Sequence, residues 1–269
     1  MRPNNLSLSF SDGVLTKQNN FEAKNSLAGK ELFIAFHNVS FQDPTKISDK
    51  LLIENLSFSV LPGEFVSITG ESSPNLSPFI FELILRYYVV HFGDIYISGT
   101  KIELISKGAT RKLISIFKQN FGLINGNIYE NLNVAMQDKS PEKINKIAEK
   151  FGLFEELDWM VYGEHGELNI SQELCFRVQI ARLYARNPKV VLIETPCAFE
   201  NDFAVEIFKD FVENISKEKT IIMQTNDMKT LIYSDKILYL GKDETRFGTH
   251  AELSKFDAYG NFLKILRDF

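Results

Sequence analysis

Gly70-Glu-Ser-Ser-Pro-Asn-Leu-Ser77 lies between a short apolar segment, Gly63-Glu-Phe-Val-Ser-Ile-Thr-Gly70, and a segment of helical patterning, Pro78-Phe-Ile-Phe-Glu-Leu-Ile-Leu-Arg86. A strand, a glycine turn and a helix form the setting in which backbone N–H groups at a helix start hold phosphate. A loop built for that chemistry reads G-x-x-x-x-G-K-[ST]. Its last three positions are here Asn75, Leu76 and Ser77. The lysine that would neutralise phosphate charge is a leucine, and Pro74 removes one backbone donor outright. A plain strand-to-helix turn, with Ser77 as N-cap and Pro78 in the first helical turn, accounts for the same residues.

The elements that must position this loop follow from periodicity. Strands are expected at Leu32–Phe36, Val39–Phe41, Leu56–Val60, Asp94–Gly99 and Leu113–Phe117. Buried strands are expected at Val190–Ile193, Thr220–Met223 and Lys236–Leu240. The helix after the loop should run to about Val90. From about Ile128 to Glu167 the pattern is helical with short breaks, and Ser140 is an N-cap with Pro141 at the first helical position. A helix from Gln172 to Arg186 places Leu174, Val178, Ala181 and Ala185 on one stripe and stops before Asn187-Pro188. Another helix is expected near Ala204–Ser216. Strands alternating with helices give an α/β fold with a parallel-sheet core and an inserted helical lobe. Residues 1–30 are polar and without period, as in a linker or arm.

Composition sets further bounds. The 269 residues are 44% hydrophobic and 24% charged, enough apolar material for a real core. A net charge of −5 gives no electrostatic footprint for nucleic acid. Cys175 and Cys197 are too few for a disulfide framework and fit a reducing compartment. No stretch approaches the roughly 18 apolar residues of a membrane span. The start of the chain has no signal-peptide pattern. His37, His91, His165 and His250 lack metal-ligand spacing, so no metal site is expected from them. Trp159 is expected to pack in the core or lobe, and Cys175 to be a buried structural thiol.

The order of segments from Glu31 to Phe269 resembles the nucleotide-binding domain of ATP-binding-cassette (ABC) transporters of the exporter type. The resemblance is carried by Val39-Ser-Phe41, Leu61-Pro-Gly-Glu64, Gly93-Asp-Ile-Tyr-Ile-Ser-Gly99 and Gln119 through Leu132. It is carried also by Ala181-Arg182, Arg186-Asn-Pro-Lys189 and Gly248-Thr-His-Ala-Glu-Leu253. It implies a P-loop NTPase-like ABC ATPase fold over 31–269. That fold has a mixed or parallel sheet core, an N-terminal antiparallel β subdomain and a helical lobe over about 120–186. The family ligands are ATP and Mg²⁺.

The resemblance also locates each motif. In the phosphate loop (Gly70, Ser72, Ser73, Asn75, Leu76, Ser77), Ser73 and Asn75 replace glycines that allow close backbone approach. Magnesium-side positions are Ser77, Gln119 and Glu194, the last replacing an aspartate. Thr195 stands where the family has the glutamate that activates water, and Asn226 where it has the switch histidine. The signature segment aligns with Ile170-Ser-Gln-Glu-Leu174, so that Ser171 is kept while Gln172 and Glu173 differ; a carboxylate at Glu173 would repel phosphate. The aspartate of the following loop is Asn201, and Asp43 falls near the place of an adenine-stacking aromatic. By contrast Gln119 through Leu132 matches without a gap, and Tyr162-Gly-Glu-His-Gly166 resembles the exporter loop ahead of the signature. In exporters both segments contact coupling helices; packing of the helical lobe would also keep them.

The resemblance implies a catalytically degenerate domain in which no residue is competent as catalyst and ATP is not bound tightly. Its partners would be a membrane domain and a second nucleotide-binding domain, as homo- or heterodimer, with no nucleic acid. Its place would be the cytoplasmic face of a membrane, held there by a transporter. Two alternatives stay open: a weakly active subunit that energises export, and a soluble interaction module.

Overall fold

A computed structural model describes residues 9–11, 14–16, 34–44, 51–118, 122–136, 139–194 and 219–267. The chain divides into two compact units, Met1–Arg111 with Thr220–Phe269, and Lys112–Lys219.

The first unit opens with a pair of short antiparallel strands, β1 (Ser9–Ser11) and β2 (Val14–Thr16). Polar composition had suggested only an arm here. The antiparallel sheet has the order β4-β3-β6-β7, built from β3 (Ile34–Phe41), β4 (Ile53–Val60), β6 (Phe92–Ile97) and β7 (Thr100–Lys101). Alternation drives it: Ile34, Phe36, Phe58, Val60 and Ile97 are buried, and Phe36 stacks on Phe58 at 4.6 Å. Val39–Phe41 is not a separate strand but the end of β3. The register shifts between Phe36 and Val39, where Asn38 takes a positive φ of 47°. Leu32 and Phe33 lie outside the described residues.

A second set of strands in this unit has the order β12-β11-β5-β10, from β5 (Phe65–Thr69), β10 (Thr220–Gln224), β11 (Lys236–Leu240) and β12 (Thr245–Gly248). β5 is parallel to both β10 and β11, and β12 closes the edge antiparallel. The short helix Met228–Tyr233 and the helix Asp257–Arg267 follow β10 and β12. Neither was evident from periodicity. Tyr239, Tyr259 and Phe262 form an aromatic core beneath them.

Helix α1 (Ser73–Ile84) departs from expectation at both ends. It starts inside the phosphate-loop segment, with Ser72 in the N-cap position, rather than at Pro78. Pro74 occupies the first helical turn, where its fixed φ suits the helix and its missing N–H costs nothing. Ser77 is therefore not an N-cap, and Pro78 lies within the helix. The helix ends well before Val90. Arg86 takes φ 61° and the N–H of Tyr87 turns back to the carbonyl of Glu82 at 2.8 Å, closing the C-terminus.

Helix α2 (Lys107–Leu113) spans the boundary between the units. The second unit holds the parallel pair β8 (Ile114–Lys118) and β9 (Val190–Glu194). With them go α3 (Ile128–Ala135), α4 (Pro141–Lys150) and α5 (Gln172–Arg186). Ile128, Leu132, Ile144, Ala148, Val178 and Ala181 form their shared core. Ser140 and Ser171 cap α4 and α5, and Asn187 ends α5 in the left-handed region at φ 50°. Helix does not continue to Glu167. After Gly152, at φ 61°, the chain runs in turns, with an isolated bridge between Tyr162 and Leu168. Trp159 is 54% exposed, not packed in a core. The helix expected near Ala204–Ser216 lies outside the described residues.

Candidate functional site

At the carboxyl end of β5, Gly70 takes φ 114°, and a Cβ there would collide with the backbone carbonyl of Leu240. Only glycine fits so close an approach. Four backbone donors beyond it are engaged within the protein. Ser72 N–H donates to Leu240 O at 3.0 Å and Ser73 N–H to Gly70 O at 3.0 Å. Asn75 N–H and Leu76 N–H both donate to Ser72 O, at 3.1 and 3.0 Å. Pro74 has no N–H to give. The side chains turn inward as well: Ser72 Oγ donates to Gly241 O at 3.0 Å and Ser77 Oγ to Ser73 O at 2.7 Å. Ser77 is 0% exposed, so the hydroxyl at the magnesium-side position faces its own helix. Ser73 Oγ is buried and has no hydrogen-bond partner in the protein. Leu76 is half-buried and brings no charge.

The neighbouring groups of this unit are likewise paired with each other. Thr69 Oγ1 donates to Asn226 Oδ1 at 2.9 Å, tying the ends of β5 and β10. Asn226 is exposed, and an amide in this position neither titrates nor carries charge. Asp227 caps the helix Met228–Tyr233 through Thr230 N–H at 2.8 Å. The exposed Glu71 accepts a 2.9 Å hydrogen bond from the hydroxyl of Tyr239. Burial, and then that carboxylate, push the Tyr239 phenol well above its ordinary range. Asp43 is 6% exposed and presents no ring face to an adenine. His250 serves structure, its Nδ1 being 3.0 Å from the hydroxyl of Tyr259.

In the second unit Glu194 ends β9 and pairs with Lys118 at the end of β8, Nζ to Oε2 at 2.6 Å. Ser171 accepts from Leu174 N–H at 3.1 Å, so its hydroxyl starts α5. Gln172 is exposed. Glu173 pairs with Arg177 at 2.7 Å, and Arg177 also donates to Gly152 O at 2.8 Å. The signature-position carboxylate is thus part of a local ion pair one helical turn long. Burial raises the Cys175 thiol, the direction of an inert core cysteine. Gln119, Thr195 and Asn201 lie outside the described residues.

The lobe segment after the glutamine loop is organised by one residue that periodicity did not single out. Asn131 is 0% exposed. Its amide donates to Ile124 O at 3.1 Å and Asn127 O at 2.9 Å, and its Oδ1 accepts from Ile124 N–H at 2.9 Å. Asn127 and Glu130 form a capping box at the start of α3. Ile128 N–H donates to Trp159 O at 3.1 Å and Val161 N–H to Gly126 O at 3.0 Å. Tyr162–Gly166 forms a tight turn, half-buried at Tyr162 and Gly163 and exposed from Glu164 to Gly166, with Gly163 N–H on Glu167 O at 2.8 Å. Trp159, Met160, Phe154 and Leu168 are exposed apolar side chains of this unit. No group of three or more His, Cys, Asp or Glu suited to a metal occurs among the described residues.

Comparison with known proteins gives one consistent result. The sequence model described as "ABC transporter" matches residues 53–198. The iron-sulfur clusters transporter ABCB7, mitochondrial, of Homo sapiens is 30% identical over 81% of this chain, which covers 29% of that protein. The ATP-dependent lipid A-core flippase of Pasteurella multocida is 29% identical over 82% of this chain, covering 39% of that protein. The chain thus spans well under half the length of these curated relatives. Among solved structures, a bacterial Atm1-family ABC exporter with ATP bound matches 94% of this chain and 44% of its own at a TM-score of 0.76. At 23% identity that match speaks for the fold.

Proposed function

We infer the function from one premise: the chain belongs to the ABC transporter family, whose sequence model it matches over more than half its length. We propose that residues 31–269 are the nucleotide-binding domain of an ABC exporter, with a helical lobe over about 120–186. It acts as a structural or regulatory partner and does not itself turn over ATP. It pairs with a second nucleotide-binding domain and with a membrane domain, on the cytoplasmic face of the membrane. Among the described residues no helix is long and apolar enough to cross a membrane.

One observation carries this reading: four backbone donors of the phosphate loop and the hydroxyls of Ser72 and Ser77 are spent on the protein's own carbonyls. A charge-assisted hydrogen bond contributes about 1.5–3 kcal/mol. Losing the lysine to Leu76 and several amide donors at once removes orders of magnitude of affinity for a nucleoside triphosphate. On this reading the residues present do not fit Mg-ATP. Thr195 in place of a general base supports it further, since losing such a base costs about 10²–10⁴-fold in rate.

Phosphate release tests the proposal, measured on the chain alone and together with a co-expressed exporter. The expected result is no turnover by the chain alone and a changed rate of the exporter. Leu76→Lys with Thr195→Glu is expected to leave the isolated chain inactive, because Pro74, Glu173 and Asn226 stay in place. Robust turnover by that double variant would contradict the proposal.

A further inference from the structure

We propose that Lys118 is the resident cation of the second acidic motif, its ammonium standing at Glu194 in place of a divalent metal. This rests on the proposed function and says how the motif is kept neutral without a ligand. Lys118 and Glu194 are direct neighbours in the parallel register of β8 and β9. In-register neighbours project to the same face. Both are the last residues of their strands, the end of a parallel sheet where ligands bind. Their charged atoms meet at 2.6 Å as an ion contact, Glu194 Oε2 accepting no hydrogen bond from the protein, and their side chains are only 22% and 24% exposed.

A half-buried carboxylate is destabilising when left unpaired, and the chain carries its counter-ion on the adjacent strand. Mg²⁺ needs near-octahedral oxygen ligation and sheds water reluctantly. To enter, it would have to displace an ammonium already tethered at contact distance. Thr195, next along the chain, adds no second carboxylate to compensate. The extra methylene of Glu194 over an aspartate lengthens the reach toward Lys118 rather than toward a solvent-side ion.

The full chain tests this with Mn²⁺ as probe, read by electron paramagnetic resonance and by thermal unfolding. The wild type is expected to hold no Mn²⁺ at millimolar free ion. Lys118→Met and Glu194→Gln are each expected to lower Tm by roughly 5 °C. The double variant should fall by less than the sum, because neither charge is then left uncompensated. Additive losses would overturn the inference, as would Mn²⁺ binding by the wild type that Glu194→Gln abolishes. Should Lys118→Met fail to fold, the wild type and Glu194→Gln decide alone: Glu194-dependent Mn²⁺ binding overturns it, and its absence supports it. Titration with metal-free ATP separates the two proposals. ATP bound without any Mn²⁺ site would sink the degenerate reading and leave the role of Lys118 standing.

Discussion

The end of the strands at Gly70 and the segment after the glutamine loop use the same kind of bond to different ends. Around Gly70, groups that could face a ligand bond inward: Ser72 to Leu240 and Gly241, Ser77 to Ser73, Thr69 to Asn226, Glu71 to Tyr239. In the lobe, Asn131 and the Asn127–Glu130 box hold a loop in shape while Trp159, Met160 and Phe154 stay exposed. Hydrogen-bonding capacity spent inside a site closes it. The same capacity spent on a scaffold presents a surface. The difference teaches that loop donors can be satisfied by the protein's own acceptors, Ser73 Oγ being the buried exception here.

Substitutions on either side sharpen that contrast. The largest loss is expected from Asn131→Ala, which strands the N–H and C=O of Ile124 and takes one of its two donors from Asn127 O, at about 3 kcal/mol in urea unfolding. A loss under about 1 kcal/mol would show that the lobe loop is held by something else. Gly70→Ala should cost about 2 kcal/mol, from its positive φ and the carbonyl of Leu240. A neutral result there would mean that the loop is not pressed against β11, and the two regions would no longer differ as described.

The tyrosines next to the loop give a pH test. Burial raises Tyr259 to about 12 against an ordinary 10. Between those values the unfolded chain has released the phenolic proton while the folded one retains it, so stability falls as pH rises. Urea midpoints should decline from pH 10 to about 12, less steeply in Tyr259→Phe. Tyr239→Phe should cost about 1 kcal/mol at neutral pH, modest because Glu71 is exposed. The smallest effect is expected from Ser140→Ala, about 0.5 kcal/mol, its capping bond being long at 3.4 Å. If Tyr239→Phe proved neutral while Ser140→Ala were severe, the inward bonding near Gly70 would have no energetic content.

Much of the scaffold was legible in the sequence. Buried strands such as Val190–Glu194 and helix α5 are set by local signals: β-branched runs, a serine cap, and Asn187-Pro188 as a stop. The start of α1 was misread because Pro74 is compatible with both a broken loop and the first turn of a helix, and only packing against Leu240 decides between them. The turns after Gly152 were misread because buried Leu153 and Val161 and exposed Trp159 and Met160 offer apolar residues in plenty, while Gly152 at φ 61° ends the helix. Of the candidate site, the missing lysine was plain from residue type. The pairing of Lys118 with Glu194 and of Glu71 with Tyr239 was not, since each joins residues distant in sequence through strand order.

The most direct test of the inward-bonded site is equilibrium binding of Mg-ATP to the full chain by calorimetry. No heat of binding up to millimolar nucleotide is the expected result. Saturable binding at micromolar concentration would contradict it, because the amides of Ser72, Ser73, Asn75 and Leu76 cannot serve protein carbonyls and a triphosphate at once.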